Sequence, residues 1–449
     1  MYDLGIIGAG PAGYVAAERA GKEGLKTVLF DEKYLGGVCL NEGCIPTKTM
    51  LFSAKLFEYS KHGATYGINA ENVTCDFKIL NERKDKVVKT LVSGVATKMK
   101  KNKVEVVMSH AFITRRMPDG ILITADKKEF LCKNILISTG SEPVIPPIPG
   151  LDRNKILTSS EILKLEKVPE DLIVIGGGVI GMEFANLFHS LGSKVTVIEM
   201  LGEILGGMDE DCAVLLRKEL VKKGMAIHTG SKVVKIDGNK VIFIKEGKEN
   251  IAESKNILVS VGRKPIISGF GLENLGVELF KSGIKIDNHC RTNIPNVYAA
   301  GDVTGFSLLA HTASREAEVA VNTILGKKDN MRYNAIPAVV YTNPEVSGVG
   351  LTEQEAKIKN IKYKIRSLPM SYAGRFIAEN EGRNGLCKVI VGEKYEEILG
   401  VHLFGSPGSE IIFGAAMAIE AQLRISDLKE LVFPHPTVSE ILKETFFEF

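Results

Sequence analysis

Several features are scarce in this sequence of 449 residues, and each absence excludes a class of protein. An excess of one charge is missing, because 57 basic and 54 acidic residues leave a formal net charge of only +3. Proteins that bind nucleic acid or a membrane surface usually carry a marked basic excess, so we expect neither partner. A long apolar run is missing as well. The best candidate, residues 172–191, contains Glu183 and His189, which suits a buried strand and helix better than a membrane span.

Cysteine is also scarce, with seven residues that are scattered along the chain except for Cys39 and Cys44. This odd number, and the absence of a basic cleavable leader, are typical of a protein from a reducing cytoplasm, which is the location we expect. A zinc site would need about four ligands, usually in two close pairs. Cys39 and Cys44 have no companion pair in the sequence, so we predict no metal site.

Glycine, in contrast, is abundant, and much of it follows a repeated pattern. Two segments read in the same order as an apolar strand, a Gly-x-Gly-x-x-Gly loop, a helix, a second apolar strand and an acidic residue. In both, the acid follows the first glycine by 23 residues. The residues are Gly8, Gly10, Gly13 and Asp31 in the first segment and Gly176, Gly178, Gly181 and Glu199 in the second. A single loop of this kind is weak evidence, but two complete copies predict two dinucleotide-binding units.

The three glycines have separate tasks in such a unit. The first permits a tight turn, the second lets the backbone approach a pyrophosphate, and the third lets helix and strand pack closely. The helix N-terminus presents N–H groups to the phosphates, and the acid accepts hydrogen bonds from a ribose. No Arg or Lys stands beside Glu199 to bind a 2′-phosphate, so the second unit favours NAD over NADP.

The segment GGVCLNEGCIPTK, residues 36–48, brings Cys39 and Cys44 within five positions of each other. Unrelated buried thiols and a structural disulfide are alternatives, although a disulfide here would close a short loop and remove little entropy from the unfolded chain. Pro46 and the residues after it favour a helix that begins near Cys44. The helix dipole, and Lys48 on the same helical face, would then favour a thiolate. We therefore favour a redox-active pair.

One histidine stands apart from the others. A lone histidine is more often a surface or core residue, and His62, His110 and His289 are consistent with that description. His435 lies in FPHPTVSE, where prolines restrict the backbone on both sides and Glu440 follows five residues later. A carboxylate at that position can orient one ring nitrogen, so His435 is a candidate acid–base group.

Four motifs, in order along the chain, resemble the pyridine nucleotide–disulfide oxidoreductase family. They are the redox loop GGVCLNEGCIPTK, the turn GRKP at residues 262–265, the segment AAGDVT at residues 299–304 and the segment HPTVSE at residues 435–440. The similarity covers essentially the whole chain. It implies an α/β fold with two Rossmann-like domains, for FAD and NAD, and a C-terminal α+β dimerisation domain.

The length of the chain allows about three domains, and the resemblance places their boundaries. Residues 1–142 would form the first part of the FAD-binding domain, and residues 143–261 the NAD-binding domain. Residues 262–330 would form a central domain that completes the FAD-binding region. Residues 331–449 would form the interface domain of a homodimer.

The resemblance also implies a role for each candidate residue. The first glycine unit would hold FAD, with Asp31 on the adenosine ribose and Asp302 near the ribityl–pyrophosphate region. Cys39 would be the interchange thiol that meets the substrate. Cys44 would face the flavin as the charge-transfer thiolate.

Further roles follow for the second unit and the C-terminal region. Lys48 would lie near the reactive nitrogen of the flavin and pair with Glu183 beside the nicotinamide site. The second glycine unit, with Glu199, would hold NAD. His435 would be the acid–base group, oriented by Glu440, and would reach the disulfide of the other subunit. Glycine turns where the chain passes between domains complete the expected cofactor-binding residues, at Gly140 and Gly262.

The activity that the resemblance implies is the oxidation of protein-bound dihydrolipoamide to lipoamide, with NAD⁺ as the final acceptor. The lipoyl group would belong to a separate carrier protein, either a component of a 2-oxoacid dehydrogenase complex or the H protein of glycine cleavage. Two alternatives remain, a related NADH-dependent disulfide reductase and a non-catalytic electron-carrier flavoprotein. The pair of His435 and Glu440 disfavours the second, because an electron carrier needs no proton acceptor.

Overall fold

The computed structural model describes residues 1–380, 382 and 384–449, and the chain divides into two compact units. Unit 1 comprises Met1–Thr49, Ile79–Val144 and Gly262–Arg332, and unit 2 comprises Met50–Lys78, Ile145–Val261 and Tyr333–Phe449. The helices Cys44–Lys61 and Phe77–Lys101 contribute residues to both units. None of the helices in the described residues is long and apolar enough to cross a membrane. The domain boundaries that we place on the sequence stay a prediction.

Unit 1 is built on a sheet with a parallel part and an antiparallel part. Its strand order is Glu105–Met108, Thr27–Asp31, Tyr2–Ile7, Lys128–Ile137, Gly120–Ala125 and Ala111–Met117, and Val297–Ala299 also pairs with Lys128–Ile137. The first four strands and Val297–Ala299 run parallel, whereas the last two pair antiparallel. The apolar runs that predict strands at residues 4–7 and 134–137 therefore form its buried middle, as expected for strands that are covered on both faces.

Short elements complete unit 1. They are the strands Ser141–Pro143, Arg263–Pro265, Leu279–Phe280 and Gly283–Ile284, the helices Pro11–Lys22, Gly37–Glu42 and Ala310–Ile324, and the 3-10 turns Leu272–Leu275 and Asp302–Thr304. The helix Pro11–Lys22 starts with proline at its first position, where the missing N–H costs nothing. Its alanines are buried, and this small-residue face allows close packing against the helix Ala310–Ile324.

The middle of unit 2 repeats the parallel sheet. Its strand order is Ala226–His228, Lys194–Ile198, Asp171–Ile175 and Ile257–Val259, and all neighbours are parallel. An antiparallel sheet of Ser231–Asp237, Lys240–Lys245 and Lys248–Glu253 accompanies it, together with the helices Val179–Ser190 and Glu210–Lys222 and the 3-10 turn Ile162–Lys164. In both sheets the first strand after the start of the repeat lies between the second strand and a later parallel strand, and the third strand lies beyond the second. The repeat predicted from the sequence is confirmed.

The C-terminal part of unit 2 is an antiparallel sheet covered by helices. The strand order is Ala338–Val340, Val346–Gly350, Ile398–Phe404, Leu386–Gly392 and Tyr363–Pro369. The helices are Glu353–Ile358, Gly374–Glu379, Gly408–Glu420, Ile425–Lys429 and Glu440–Phe447, and the 3-10 turns of this unit include Gly63–Tyr66 and Met370–Tyr372. Buried Val401 and Leu403 of the sheet share one core with Ile412 and Ile441 of the helices. The α+β texture predicted from about residue 331 is confirmed.

A buried ammonium group ties the two parts of unit 2 together. Lys388, in the strand Leu386–Gly392, is only 1% exposed. Its Nζ lies 3.0 Å from a carboxylate oxygen of Asp209 and 2.8 Å from oxygens of both Asp211 and Glu353. Asp209 caps a helix of the nucleotide-binding part, whereas Glu353 begins a helix of the C-terminal part. Burial opposes the charge of Lys388, but hydrogen bonds and charge from these carboxylates raise its pKa, so it stays protonated.

Replacing Lys388 with methionine should destabilise the protein, because the neighbouring carboxylates would remain without their shared cation. We expect a loss of about 3–5 kcal/mol in the free energy of unfolding, as is typical when one partner of a buried ion pair is removed. Urea unfolding followed by circular dichroism measures this loss. The matched control is Lys364→Met, because Lys364 makes an exposed 3.1 Å pair with Glu396, which is worth about 0–1 kcal/mol. Equal, small effects of both changes would contradict the structural role of Lys388.

Candidate functional site

The two glycine loops have the same backbone, and their first and third glycines are required by contacts within the protein. Gly8 has a φ of +102° and Gly176 one of +105°, a region that side chains disfavour. A Cβ at either residue would also overlap a neighbouring backbone carbonyl. A Cβ at Gly13 would overlap the carbonyl oxygen of Gly8, and one at Gly181 would overlap that of Gly176. These positions therefore need glycine whether or not a ligand binds.

The second glycine of each loop is different, because the protein itself does not require it. Gly10 and Gly178 have φ values of −70° and −71°, which any residue can adopt. Among the described residues, no atom lies within 4 Å of the Cβ position at either glycine. Both residues precede a helix N-terminus, where backbone N–H groups face outward. The open space fits a pyrophosphate, so both loops fit a dinucleotide.

Asp31 and Glu199 each accept a hydrogen bond from a backbone N–H group of their own glycine loop. One oxygen of Asp31 accepts a 2.7 Å hydrogen bond from the N–H of Ala9, and one oxygen of Glu199 accepts a 2.6 Å bond from the N–H of Gly177. Their second oxygens accept from backbone N–H groups two or three residues further along the chain. A carboxylate has about four acceptor sites, which leaves capacity for a ribose hydroxyl. The expected ribose contacts stay a prediction.

The two cysteines lie at the joint between two helices. Cys39 belongs to the helix Gly37–Glu42, Gly43 follows, and Cys44 is the first residue of the helix Cys44–Lys61. The predicted start of a helix near Cys44 is therefore confirmed. The side chains of Cys39 and Cys44 are hydrogen-bonded to each other. The single-residue break thus holds the sulfurs in contact, which a disulfide between them requires.

The glycines before Cys39 pack the joint against the first glycine loop. Gly36 has a φ of +95°, and its N–H donates to the carbonyl of Ala9 at 2.9 Å. Gly37 has a φ of +59°, and a Cβ there would come within 2.5 Å of the Cα of Gly10. Only glycine allows so close an approach of two backbones. The dithiol therefore begins directly beside the loop that fits a pyrophosphate.

The surroundings of Cys39 raise the pKa of its thiol. The hydrogen bond with Cys44 is the largest cause that raises the pKa of the Cys39 thiol, followed by burial. The positive charge of Lys48 and the backbone N–H of Cys44 act in the opposite direction. A raised pKa disfavours the thiolate form of Cys39. The thiolate that the sequence predicts at Cys44 stays a prediction.

A hydrogen-bonded chain of three side chains lies in the same unit. Ser141 Oγ donates to Asp302 at 2.6 Å, while Arg263 donates from Nε to Ser141 Oγ at 2.7 Å and from Nη2 to the Ser141 carbonyl at 2.6 Å. Burial raises the pKa of Asp302, and Ser141 and Arg263 oppose this rise. Burial lowers the pKa of Arg263, and the charges of Asp302 and Cys44 oppose this. Arg263 is therefore within electrostatic reach of the dithiol.

Sequence reasoning identified Asp302 but missed Ser141 and gave Arg263 no role beyond the GRKP turn. Gly140 and Gly262, which we expected at crossing points of the chain, have φ values of +77° and +120°. They lead into the antiparallel pair of short strands that contains Ser141 and Arg263. A polar residue directly after each of these glycines was the available signal. The cofactor contacts expected of Gly140 and Gly262 stay predictions.

Glu183 is buried in the helix Val179–Ser190 and is held from the C-terminal part of unit 2. It is 3% exposed, and its Oε1 accepts a 3.0 Å hydrogen bond from the backbone N–H of Tyr341. The next turn of the same helix is held similarly, because Asn186 Oδ1 accepts from the N–H of Asn343 at 3.4 Å. Sequence reasoning missed Tyr341, since a backbone donor leaves no trace in residue identity.

His435 and Glu440 form the predicted pair. His435 Nδ1 lies 2.9 Å from Glu440 Oε1, and Glu440 Oε2 accepts from the backbone N–H of Thr437 at 2.9 Å. That backbone bond and then the bond with His435 lower the pKa of Glu440, which keeps it ionised. Because a carboxylate only accepts, Nδ1 carries the proton in this contact and the lone pair of neutral His435 lies on Nε2. The exposed imidazole can therefore accept a proton through Nε2.

The structure thus assembles the candidate residues in separate groups. Unit 1 holds Cys39, Cys44 and Lys48, and unit 2 holds Glu183 and the pair of His435 and Glu440. The expected pairing of Lys48 with Glu183 and the expected approach of His435 to the dithiol stay predictions. Within the part of the chain that the structure describes, no cluster of three or more His, Cys, Asp or Glu side chains could hold a metal ion.

Comparison with known families agrees with these features. Residues 2–317 match the pyridine nucleotide–disulphide oxidoreductase family, and residues 336–446 match the dimerisation domain of that family. The chain therefore belongs to the pyridine nucleotide–disulphide oxidoreductases. The predicted cofactors, FAD and NAD, are confirmed at the level of this family, and the dimerisation domain supports the predicted homodimer.

Several similar curated proteins share one name. The dihydrolipoyl dehydrogenase of Geobacillus stearothermophilus is 38% identical over 98% of this chain and 94% of that protein. Those of Mycoplasma pneumoniae and Bacillus subtilis are 39% and 37% identical, and the matches cover 99% and 98% of this chain and 97% and 95% of theirs. This chain is therefore similar to them along essentially its entire length.

Solved structures also resemble this fold over the whole chain. LpdA of Mycobacterium tuberculosis superposes with a TM-score of 0.90 at 25% identity, with 99% of each chain covered. The HOCl-induced flavoprotein disulfide reductase RclA of Escherichia coli superposes with a TM-score of 0.87 at 28% identity, again with 99% of each chain covered. The predicted fold class, with Rossmann-like nucleotide domains and a C-terminal dimerisation domain, is confirmed.

The open second glycines generate a prediction that separates ligand binding from folding. Gly178→Ala should raise the KM for NAD⁺ at least tenfold while the bound flavin is retained, because the new methyl group occupies only the nucleotide cradle. Gly10→Ala should instead weaken FAD retention at least tenfold. Steady-state kinetics and flavin absorbance after gel filtration measure the two effects.

The control for both changes is Gly94→Ala, because Gly94 also has an open Cβ position but lies on the exposed side of the helix Phe77–Lys101. This variant should keep the KM and the flavin content of the unaltered protein. If all three variants behaved alike, the open space at Gly10 and Gly178 would not be a nucleotide cradle.

Proposed function

We propose that this chain oxidises dihydrolipoyl groups on a separate carrier protein and reduces NAD⁺, the reaction of a dihydrolipoyl dehydrogenase. The observation that carries the proposal is the contact between Cys39 and Cys44 at a helix joint that packs against the first glycine loop. Similarity to curated dihydrolipoyl dehydrogenases over almost the whole chain supports the choice of substrate.

The residues present fit both cofactors of the family. The loop around Gly10, with Asp31 and Asp302, would hold FAD, and the loop around Gly178, with Glu199, would hold NAD. When bound, FAD takes up the two electrons of the dithiol and supplies them to NAD⁺ as a hydride. The chain itself supplies the disulfide, the proton acceptor and the charges around them.

In the first half of the proposed reaction, the substrate dithiol opens the disulfide. His435 Nε2 accepts the proton of one substrate thiol, and Glu440 stabilises the resulting imidazolium. The substrate thiolate attacks the sulfur of Cys39, so a mixed disulfide forms and the bond between Cys39 and Cys44 breaks. The sulfur of Cys44 leaves as a thiolate, which the helix start and Lys48 stabilise.

In the second half, the lipoyl ring closes. The second substrate thiol loses its proton and attacks the substrate sulfur of the mixed disulfide, and the sulfur of Cys39 leaves and takes that proton, while the first proton stays on His435. The substrate has then lost two electrons and two protons, and the cysteine pair has gained two electrons. The raised pKa of the Cys39 thiol supports an end point in which Cys39 carries the proton.

Several finer features belong to the same proposal. His435 would act from the second subunit of a homodimer, and Lys48 would pair with Glu183 beside the nicotinamide. The lipoyl group would be carried by a component of a 2-oxoacid dehydrogenase complex or by the H protein of glycine cleavage. A cytoplasmic location fits the odd number of cysteines.

The experiment that tests the function compares substrates and one cysteine variant. The purified protein with FAD should reduce NAD⁺ with dihydrolipoamide and with at least one lipoylated carrier, and should not reduce glutathione disulfide with NADPH. Cys39→Ser should lower lipoamide turnover at least a thousandfold but retain electron transfer from NADH to a dye, because that transfer does not need the substrate-facing thiol.

The matched control is Cys75→Ser, which removes a half-buried thiol outside the redox loop and should leave both activities unchanged. Loss of both activities in Cys39→Ser, with flavin still bound, would contradict the role given to Cys39. Turnover of other disulfides without any turnover of lipoamide would favour the alternative of a general disulfide reductase.

The proton acceptor generates a second prediction. His435→Gln should lower lipoamide turnover at least a hundredfold, because the substrate thiol loses its proton acceptor. Glu440→Gln should lower it at least tenfold, because the imidazolium of His435 loses the negative charge that stabilises it. Transfer from NADH to a dye should be retained in both variants. Stopped-flow reduction by dihydrolipoamide measures the affected step directly.

Two matched controls accompany these variants. His62→Gln alters an exposed histidine, and Glu444→Gln alters an acid one turn further along the helix of Glu440. Neither control should change lipoamide turnover. The proposed role of His435 is wrong if His435→Gln turns over lipoamide as fast as His62→Gln.

A further inference from the structure

A buried carboxylate in unit 1 belongs to neither glycine loop nor to the redox loop. Glu316 lies in the helix Ala310–Ile324 and has 0% of its surface exposed. Burial of a carboxylate is costly unless hydrogen bonds or charges compensate for the lost water. The neighbouring Arg315 pairs instead with Glu318 and Asp329, with its side chain partly exposed. Glu316 instead points into the interior, so its partner there is informative.

The partner is the turn that precedes Asp302. An oxygen of Glu316, Oε2, accepts a 2.6 Å hydrogen bond from the backbone N–H of Gly301. Gly301 has a φ of +81° and a ψ of −158°, a combination that is accessible almost only to glycine. A buried N–H needs an acceptor, and this backbone conformation is kept only where its surroundings hold it. The carboxylate of Glu316 accepts this hydrogen bond and so stabilises the backbone conformation of Gly301.

Gly301 lies between the helix that follows the first glycine loop and the helix of Glu316. A Cβ at Gly301 would lie 3.2 Å from the Cβ of Ala313 and 3.4 Å from the Cβ of Ala12. Ala12 belongs to the helix that follows the first glycine loop, and Ala313 lies one turn before Glu316. The hydrogen bond of Glu316 therefore joins the helix Ala310–Ile324 to the turn at Gly301, beside the helix that follows the first glycine loop.

The conformation of Gly301 determines where Asp302 is placed. The carbonyl of Gly301 accepts from both the N–H and the hydroxyl of Thr304 at 3.0 Å, which closes the short 3-10 turn Asp302–Thr304. Asp302 then receives the hydroxyl of Ser141 at 2.6 Å. A change in the peptide at Gly301 would therefore rotate the carboxylate of Asp302 away from this position.

We propose that Glu316 is a positioning residue of the FAD site, which acts through Gly301 to hold Asp302 toward the cofactor. This inference rests on the proposed function, because that function assigns Asp302 to FAD. Glu316 lies outside the redox loop and acts on the turn of Asp302, so its effect should appear in the retention and the potential of the flavin.

The test compares variants that differ in the side-chain oxygen. Glu316→Gln keeps the length and a carbonyl acceptor for the N–H of Gly301, whereas Glu316→Met keeps the length without an oxygen. We expect FAD to leave the Met variant at least ten times faster than the unaltered holoenzyme, and the Gln variant within threefold of it. The midpoint potential of the flavin should shift in the Met variant. Release is followed by the fluorescence of freed FAD, and the potential by anaerobic dye equilibration.

Glu318→Gln is the matched control, because Glu318 lies on the same helix but pairs with Arg315 at the surface. It should change neither readout. Equal release rates and potentials for the Met and Gln variants would overturn the inference. Failure of the Met variant to fold even with saturating FAD, while the Gln variant folds, would assign Glu316 to folding instead and would also overturn it.

These readouts need no lipoyl substrate, so they separate this inference from the proposed function. If the protein does not oxidise dihydrolipoamide but the Met variant loses FAD faster, the result contradicts only the proposed substrate. If the protein oxidises dihydrolipoamide but all variants retain FAD equally, the result contradicts only the role of Glu316.

Discussion

The chemistry of this chain depends on one local constraint, the single residue between two helices that carry a cysteine each. Gly43 ends the helix of Cys39, and a Cβ there would come within 3.0 Å of the carbonyl oxygen of Val38. A side chain at Gly43 would therefore be crowded against the end of the helix of Cys39. Because Gly37 also packs on Gly10, the same backbone joins the dithiol to the first nucleotide loop. Reversible sulfur chemistry and cofactor binding are therefore coupled by backbone packing rather than by long side chains.

Around this joint, the structure controls charge by burial and by hydrogen bonds. A hydrogen bond with Cys44 and burial raise the pKa of the Cys39 thiol, and Cys44 lies at a helix start within electrostatic reach of Arg263. In unit 2, Glu440 stays ionised because a backbone N–H and His435 both donate to it. An ionised Glu440 beside His435 suits a thiol–disulfide exchange in which the imidazole accepts the proton.

Sequence reasoning succeeded where the backbone itself demands a residue type. The first and third glycines of both loops are needed to avoid overlap with carbonyl groups, so the repeat and its sheets could be predicted. The chain of Ser141, Asp302 and Arg263 could not, because 161 positions separate Ser141 from Asp302 and no local periodicity links them. The hydrogen bond that Glu183 accepts comes from the backbone N–H of Tyr341, and every residue except proline has such an N–H. For such contacts, only the folded arrangement identifies the partner.

The most direct test of the central claim is to count alkylated cysteines before and after one equivalent of dihydrolipoamide is added to the oxidised holoenzyme without air. Mass spectrometry of the peptide that contains residues 36–48 locates the label. The account predicts that Cys39 and Cys44 are unlabelled before addition and that both are labelled after it, while the labelling of the other cysteines is unchanged. Equal labelling of Cys39 and Cys44 before and after addition would contradict it.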